Sequence, residues 1–372
     1  MRARFAVVLP VVLFIVGCGG SRTDPATEIS SANLSADSMA GGNKVIGVMS
    51  RNLYLGADLG PVIAAKTQSD FLAATTAAWR MVQRNNFHLR VQELADEIAN
   101  KRPALIGLQE AFTWRMQTPP DSTAKTVVYD FAPELQAALA ARGVKYRAVA
   151  SVELLDVEAP TLAVVGGQLV LGPDVRATDH DVILAREDVH ATKVAEEVYS
   201  LLLPLPIFGR PLPLPLRRGY VAVDVKYRGE SLRFVNTHLE SFDPSIRTAQ
   251  GAELAASPIL ANASRPVILV GDLNSLPGTE GEAALARVGF ADVWPLVHPG
   301  NPGLTCCFGE DLTIPGGVFD QRIDYVLTRG LFEPRAAAVT GTNPAIRVEG
   351  LWPSDHGGIF AELRIGDPRF DR

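Results

Sequence analysis

The chain has 372 residues, 47% of them hydrophobic and 20% charged, an ordinary balance for a globular protein and enough length for one layered α/β unit with a large core. Its formal net charge is −6, and it grows more negative if Arg2 and Arg4 leave with a leader, so no global positive field draws it to nucleic acid or anionic lipid. A local basic groove is compatible with that balance.

At the N-terminus "MRAR" is a short cationic region, and "FAVVLPVVLFIV" is an apolar run too short to span a bilayer comfortably as a helix. "IVGC" then resembles a bacterial lipobox, which implies cleavage before Cys18 and lipid attachment to its sulfur. The alternative is an ordinary secretory leader with a chance cysteine. Export to the cell envelope or medium follows under either reading. The Gly/Ser/Ala-rich polar stretch after Cys18 reads as a flexible tether. The expected organisation is a signal peptide over 1–17, a tether over 18–43, a folded domain over 44–366 and a tail over 367–372.

From Lys44 onward strand-like and helix-like segments alternate without an internal repeat. "KVIGVMSRN" reads as a strand ending at Asn52. "FHLRVQELADEIANKR" carries Phe87, Val91, Leu94 and Ile98 at helical spacing, and "PALIGLQEAF" returns as a strand ending at Glu110. "ELQAALAARG" reads as a short helix with a glycine stop, and "DVILARE" as a strand. "GYVAVDVKYRGESLRFVNTHLE" reads as a hairpin turning at Arg228–Gly229, and "SIRTAQGAELAAS" as a helix. "ILVGDLNS" is a buried strand ending in Asp272 and Asn274, which at i and i+2 would share one side of it. "EAALARVGF" looks helical, "QRIDYVLTRG" is a strand, and "WPSDHGGIFAELRI" is a loop before a closing strand.

The polar residues left at these strand ends are Asn52, Glu110, Asn236, His238, Asp272, Asn274, Asp324, Asp355 and His356. All are oxygen or imidazole donors. Hard cations such as Mg²⁺ take oxygen ligands and keep several waters, leaving room for a substrate phosphate. Carboxylates, amides and two histidines without cysteine therefore suit metal-assisted attack on a phosphoester better than a structural zinc site.

"LQE", "NTHLE", "GDLNS", "RIDYV" and "SDHGG", in that order and each at a strand end, resemble the endonuclease/exonuclease/phosphatase superfamily of DNase I-like proteins. The resemblance runs from about Lys44 to Ile365. It implies an α+β fold, a four-layer α/β/β/α sandwich of two packed, mainly antiparallel sheets with helices outside. It also implies Mg²⁺, with Mn²⁺ as a substitute, held mainly by Glu110 with Asn52 and Asp355. Asp272 would orient or deprotonate the attacking water, and Asn274 would help hold water and phosphate. His356, paired with Asp324, would contact the phosphoryl oxygens, and His238 would be a second imidazole on the phosphate side and the candidate general acid.

Plainer roles compete at several positions. Asn52 before a loop is typical of a turn former. Asn236 reads as support for its strand or for His238, and Glu110 could be a solvated carboxylate. His180 in "TDHDV" reads as a solvated turn, as do His88, His190 and His298. Cys306 and Cys307 are the only thiols left if Cys18 carries lipid, and a vicinal disulfide stands beside intermolecular pairing or two buried thiols. Residues 201–216, "LLLPLPIFGRPLPLPL", hold five prolines that forbid a helix, so the segment must be extended, folding back near Phe208–Gly209. It either covers a sheet edge or meets a lipid surface or apolar substrate tail.

The substrate class is open among lipid phosphodiesters, nucleic acids and inositol or other phosphoesters, because specificity lies in loops. The lipid anchor and the lack of basic stretches favour a lipid or small phosphoester over a secreted nuclease acting on DNA or RNA. A non-catalytic surface binding module is the alternative of another class. It is disfavoured by the intact set of Glu110, His238, Asp272, Asn274, Asp324 and His356, since a decayed site should have lost members.

Overall fold

The computed structural model describes residues 44–118, 123–207 and 210–366, with backbone alone for 205–207 and 210–215. The leader, Cys18 with its tether, and the tail over 367–372 lie outside the described residues. In chain order β1 (Val45–Asn52) leads through α1 (Gly60–Ala64), α2 (Gln68–Arg84) and α3 (Phe87–Lys101) to β2 (Leu105–Gln109), β3 (Thr113–Gln117) and β4 (Thr126–Asp130). After α4 (Phe131–Ala141) come a long hairpin, β5 (Tyr146–Val165) and β6 (Gln168–Arg186), then β7 (His190–Val198) and the short strands β8 (Leu203–Ile207) and β9 (Arg210–Leu216). Next are β10 (Gly219–Tyr227), β11 (Glu230–His238), α5 (Pro244–Ala256), α6 (Pro258–Ala261), β12 (Val267–Asp272) and α7 (Glu280–Arg287). The chain closes through β13 (Ala291–Asp292), α8 (Val293–Val297), β14 (Asp324–Arg329), β15 (Phe332–Thr340) and β16 (Gly358–Ile365).

One sheet runs β15-β16-β1-β2-β6-β3-β4, with β5 also paired to β6, and a second runs β13-β14-β12-β11-β10-β7. Each contains one parallel pair, β1 with β2 and β11 with β12, among otherwise antiparallel ladders. Side chains alternate across a strand, and the alternation sorts the core into three layers. On the first sheet Met49, Ile106 and Leu184 face out against Trp79, Phe87, Leu94 and Ile98 of α2 and α3. Val48, Leu105 and Ile183 face in, against Val223, Phe234, Ile268 and Val270 of the second sheet. Leu269, Val235 and Leu327 on that sheet's outer face meet Leu254, Leu260 and Leu285 of α5, α6 and α7. The result is the α/β/β/α sandwich.

Local chemistry explains the elements that position the site. Helix α3 buries Phe87, Val91, Leu94 and Ile98, the helically spaced set, each contributing about 1.5–3 kcal/mol by leaving water. It stops at Arg102, which takes a left-handed conformation. Helix α5 starts where Asp243 accepts from the amides of Ser245 and Ile246, with Pro244 in the first turn. The β10–β11 hairpin turns at Arg228–Gly229, both at positive φ, as its two-residue loop requires.

One segment differs from the sequence reading, one helix was not named in it, and one segment agrees with it. "TDHDV" is not a loop: it lies within β6, with His180 half-buried and Asp179 and Asp181 buried. Two aspartates around a histidine read as turn formers, and only the tertiary fold places them mid-strand. Helix α2, rich in Ala and Thr and capped by Thr67 accepting from the Asp70 amide, is an element that the sequence reading did not name, although its apolar face is as marked as that of α3. The 201–216 segment is extended, as its prolines demand, and its described backbone forms an antiparallel ladder, Leu203 opposite Leu216 and Ile207 opposite Arg210. Residues 208–209 at its turn lie outside the described residues. Among the described residues no helix is long and apolar enough to cross a membrane.

The two sheets are also joined by a polar stitch in the apolar layer. Asn236 is fully buried; its Oδ1 accepts from Gln109 Nε2 at 2.6 Å, and its Nδ2 donates to the carbonyls of Leu108 and Val182 at 2.9 and 3.2 Å. Gly107 makes room for it, because a Cβ there would lie 2.5 Å from Asn236 Oδ1. Asn236→Leu strands the Gln109 amide and two carbonyls, and should lower unfolding free energy by about 3 kcal/mol in urea titration. A loss below about 0.5 kcal/mol would show that the stitch contributes nothing.

Candidate active site

Both parallel pairs end in register. Asn52 lies opposite Gln109 at the end of β1 and β2, and His238 opposite Asp272 at the end of β11 and β12. Asp272 is in turn paired with Asp324 at the start of β14. The carboxyl ends of parallel strands are where open α/β sheets bind ligands, and here the two sheets face each other.

Asn52 links the sheets directly. Its Nδ2 donates to Glu110 Oε1 at 3.2 Å and to Asp272 Oδ2 at 3.1 Å, while its Oδ1 accepts from the Tyr54 amide at 2.9 Å. Glu110 lies one residue past β2 at φ 55°, and its Oε2 accepts from the Leu55 amide at 2.7 Å. The turn, rather than the pleat, aims this carboxylate. The same holds for Asn274: β12 ends at Asp272, and Asn274 sits at φ 47° with its amide donating to Asp272 Oδ1 at 2.9 Å and its Nδ2 to the Leu239 carbonyl at 3.0 Å. Asp272 and Asn274 are therefore neighbours through the turn after β12, not through the pleat of one strand as i, i+2 spacing implied. Non-glycine residues held at positive φ store strain, and such residues cluster at functional sites.

His356 Nδ1 meets Asp324 Oδ2 at 2.9 Å, and its Nε2 lies 3.8 Å from Asp272 Oδ2 and 4.0 Å from Asp355 Oδ1. His238 approaches the same Asp272 Oδ2 with Nε2 at 3.6 Å. The structure thus brings together Asn52, Glu110, His238, Asp272, Asn274, Asp324, Asp355 and His356. Asn236 stays between the sheets. His88 is exposed and paired with Glu134, His190 is exposed, and His298 contacts the Ala337 carbonyl at 2.8 Å. The backbone around the site is held by buried arginines: Arg51 donates to the His356 carbonyl, and Arg90 donates to the carbonyls of Leu53, Tyr54 and Pro353.

The sequence profile of the Endonuclease/Exonuclease/phosphatase family matches residues 82–356. The chain belongs to this family. Two solved structures from Bacteroides thetaiotaomicron resemble it, each at 19% identity and TM-score 0.51 over 86% of this chain: an endonuclease/exonuclease/phosphatase family protein (97% of that chain covered) and a mannosyl-6-phosphatase (99% covered). At that identity the likeness speaks for the fold. No curated protein sequence matches the chain significantly.

In this family member, electrostatics separate the two histidines. Burial opposes charge on His356, but Asp324, Asp355 and Asp272 outweigh it and hold the imidazolium well above the ordinary histidine range. His238 is pushed the other way, by burial first and then by Arg218 and His356. Arg218 Nη1 lies 2.9 Å from His238 Nδ1, and a guanidinium only donates, so Nδ1 is the bare nitrogen and Nε2 carries the proton. His238 is therefore a neutral donor in the free site. Burial and Asp324 raise the Asp272 carboxyl to about 7, with His356 opposing. Burial likewise raises Asp355 to about 6.

Glu110 and Asp355 offer carboxylate oxygens, which fit a hard divalent cation, whereas Asn52 turns its Nδ2 to Glu110 and its Oδ1 to the Tyr54 amide and would join the ligands only by exchanging those bonds. Asp272, Asp324 and His356 also offer ligand atoms within 4.8 Å of one another, but the Asp324–His356 hydrogen bond already uses two of those groups. Cys306 and Cys307 form a vicinal disulfide and so offer no thiolate; Cys306 Sγ lies 3.7 Å from His356 Nε2.

Three charged residues here were not assigned to the site from the sequence, in which Arg218 reads only as the base of the 201–216 segment. Arg218 reaches His238 because Gly219 pairs with His238 across the ladder, a relation that spacing does not reveal. Asp179 and Asp181, two apart on β6, face the same way and are buried, with Asp179 Oδ1 and both Asp181 oxygens lacking hydrogen-bond partners. Burial raises Asp179 to about 7 and Asp181 well above its ordinary value, with Arg218 opposing in both. A carboxyl raised in the fold binds its proton more tightly there than when unfolded. Its stabilising contribution is full below about pH 4 and is lost as pH climbs through the folded value. In EDTA, the melting temperature should therefore fall between pH 5 and pH 8, and Asp181→Asn should flatten that slope. Parallel slopes for wild type and variant would remove Asp181 from the account.

Proposed function

We propose that the chain is a divalent-cation-dependent phosphoesterase, using Mg²⁺ with Mn²⁺ as a substitute, that attacks a lipid or small phosphoester with water. The observation that carries this is the convergence on Asp272: two imidazoles of opposite protonation and the Asn52 bridge to Glu110 all meet one carboxylate at the facing ends of two sheets. Glu110, Asn52 and Asp355 would hold the cation, which supplies Lewis-acid stabilisation of phosphoryl charge when bound.

The chain's own residues supply the rest. Asp272 accepts the proton of the attacking water, with Asn52 and the Asn274 amide fixing its two oxygens. His356, kept cationic by Asp324 on Nδ1, directs Nε2–H to a phosphoryl oxygen and stabilises charge as it develops. His238, a neutral imidazole in the free site, gives a second Nε2–H to the phosphate. This favours an anion-binding role for it over that of general acid. The lack of basic stretches and the lipobox reading of Cys18 support a lipid or small substrate over nucleic acid. The neighbour described as a mannosyl-6-phosphatase keeps phosphomonoesters among the substrates to be tested.

With bis-p-nitrophenyl phosphate, phospholipids, sugar and inositol phosphates and plasmid DNA as a panel, EDTA should abolish turnover and Mg²⁺ or Mn²⁺ restore it. Asp272→Ala and His356→Ala should each lower kcat by at least about a thousandfold, as for groups acting as a unit. Undiminished turnover by both variants would sink the proposal.

A further inference from the structure

A cavity of about 520 Å³ opens beside the site, a volume suited to one ligand of moderate size. Glu110, Asp355 and Arg218 share its lining with an apolar set drawn from separate segments: Leu59, Val62 and Ile63 around α1, Trp79 on α2, and Phe112 and Trp114 at β3. The Trp114 ring lies 5.8 Å from that of Trp79 and 5.6 Å from that of Phe112, which makes a continuous aromatic wall.

Polar atoms of this wall are turned to the protein. Trp114 Nε1 donates to the Leu55 carbonyl at 3.0 Å, Thr75 Oγ1 to the Leu72 and Pro160 carbonyls, and Tyr54 Oη to the Glu310 carbonyl at 2.6 Å. The lining also carries Asp58, Asp179, Arg218, Ser241 and Glu310, and Asp179 Oδ1 has no partner, so a polar group finds acceptors on that part of it; against the wall of Val62, Trp79, Phe112 and Trp114 a hydroxyl or ring nitrogen would leave water without one, which is costly. A hydrocarbon chain has nothing to leave unpaired.

We propose that this cavity takes one acyl or alkyl chain of a lipid phosphoester whose phosphate is held by the two histidines and by the cation that Glu110 and Asp355 would bind. The proposal rests on the phosphoesterase reading above and names its substrate class. Each methylene withdrawn from water gains about 0.8 kcal/mol, roughly fourfold in affinity.

The test uses the purified full-length chain and alkyl p-nitrophenyl phosphodiesters from methyl to dodecyl, each below its critical micelle concentration. The expected kcat/KM rises about two- to fourfold per methylene, and the octyl-to-methyl ratio collapses in Ala78→Phe, which places a ring in the cavity wall. If circular dichroism shows that variant unfolded, Val62→Trp on α1 takes its place. Decylphosphonate binding, read by tryptophan fluorescence in Mg²⁺, should saturate for wild type and weaken at least tenfold in the folded variant. A flat chain-length series, a rise only above the micelle threshold, or equal slopes in wild type and variant would overturn the proposal. Hydrolysis of no ester at all would instead fault the phosphoesterase reading. The decylphosphonate titration then decides the cavity alone: saturable, variant-sensitive binding supports it, and no binding overturns it.

Discussion

The site depends on one constraint of register: two parallel strand pairs, one in each sheet, stop at the same level of a face-to-face sandwich. Asn52 then stands opposite Gln109 and His238 opposite Asp272, so the polar groups that end four apolar strands meet. A shift of one residue in either ladder would turn those side chains to the opposite face. The Asn236 stitch and the inter-sheet layer of Val48, Leu105, Phe234 and Val270 fix the sheets relative to each other. The Asn52 amide, bonded to Glu110 and Asp272 at once, is the chemical expression of that alignment.

Gathering so many charges in a buried region is costly unless they are paired or ligated. Part of the answer is internal: Asp324 supports a cationic His356, and Arg218 faces both His238 and the Asp179–Asp181 pair. Arg90, fully buried and lowered to about 10 mainly by burial, ties the loop after β1 to the loop carrying Asp355. Among the described residues Asp179, Asp181 and Asp324 keep buried oxygens without hydrogen-bond partners. The cavity beside them, with its aromatic and aliphatic wall, gives the same region a second chemical character.

Much of this was legible in the sequence. Apolar runs interrupted by Asn52, Glu110, His238 and Asp272 mark buried strands that end in a polar site, and the spacing of Phe87, Val91, Leu94 and Ile98 marks one covering helix. The order of the short motifs carried the rest, including the four-layer fold. What stayed hidden depends on relations across ladders or on turns. Arg218 carries no signal until Gly219 is paired with His238. Asp179 and Asp181 look like a turn until β6 is seen to run through them. Glu110 and Asn274 are aimed by left-handed backbone that no periodicity announces. The cavity could not be read at all, because Leu59, Trp79 and Trp114 resemble any other core residues until the segments that carry them are brought together.

The most direct test of the central claim, a single cation site formed where the two sheets end, is a crystal structure of the Mn²⁺-soaked protein read by anomalous scattering. The account predicts a peak about 2.1 Å from a Glu110 carboxylate oxygen, with Asn52 or Asp355 completing the protein ligands and His356 still bonded to Asp324. A peak seated instead on Asp272, Asp324 and His356, with that histidine bond broken and Glu110 outside the shell, would contradict it.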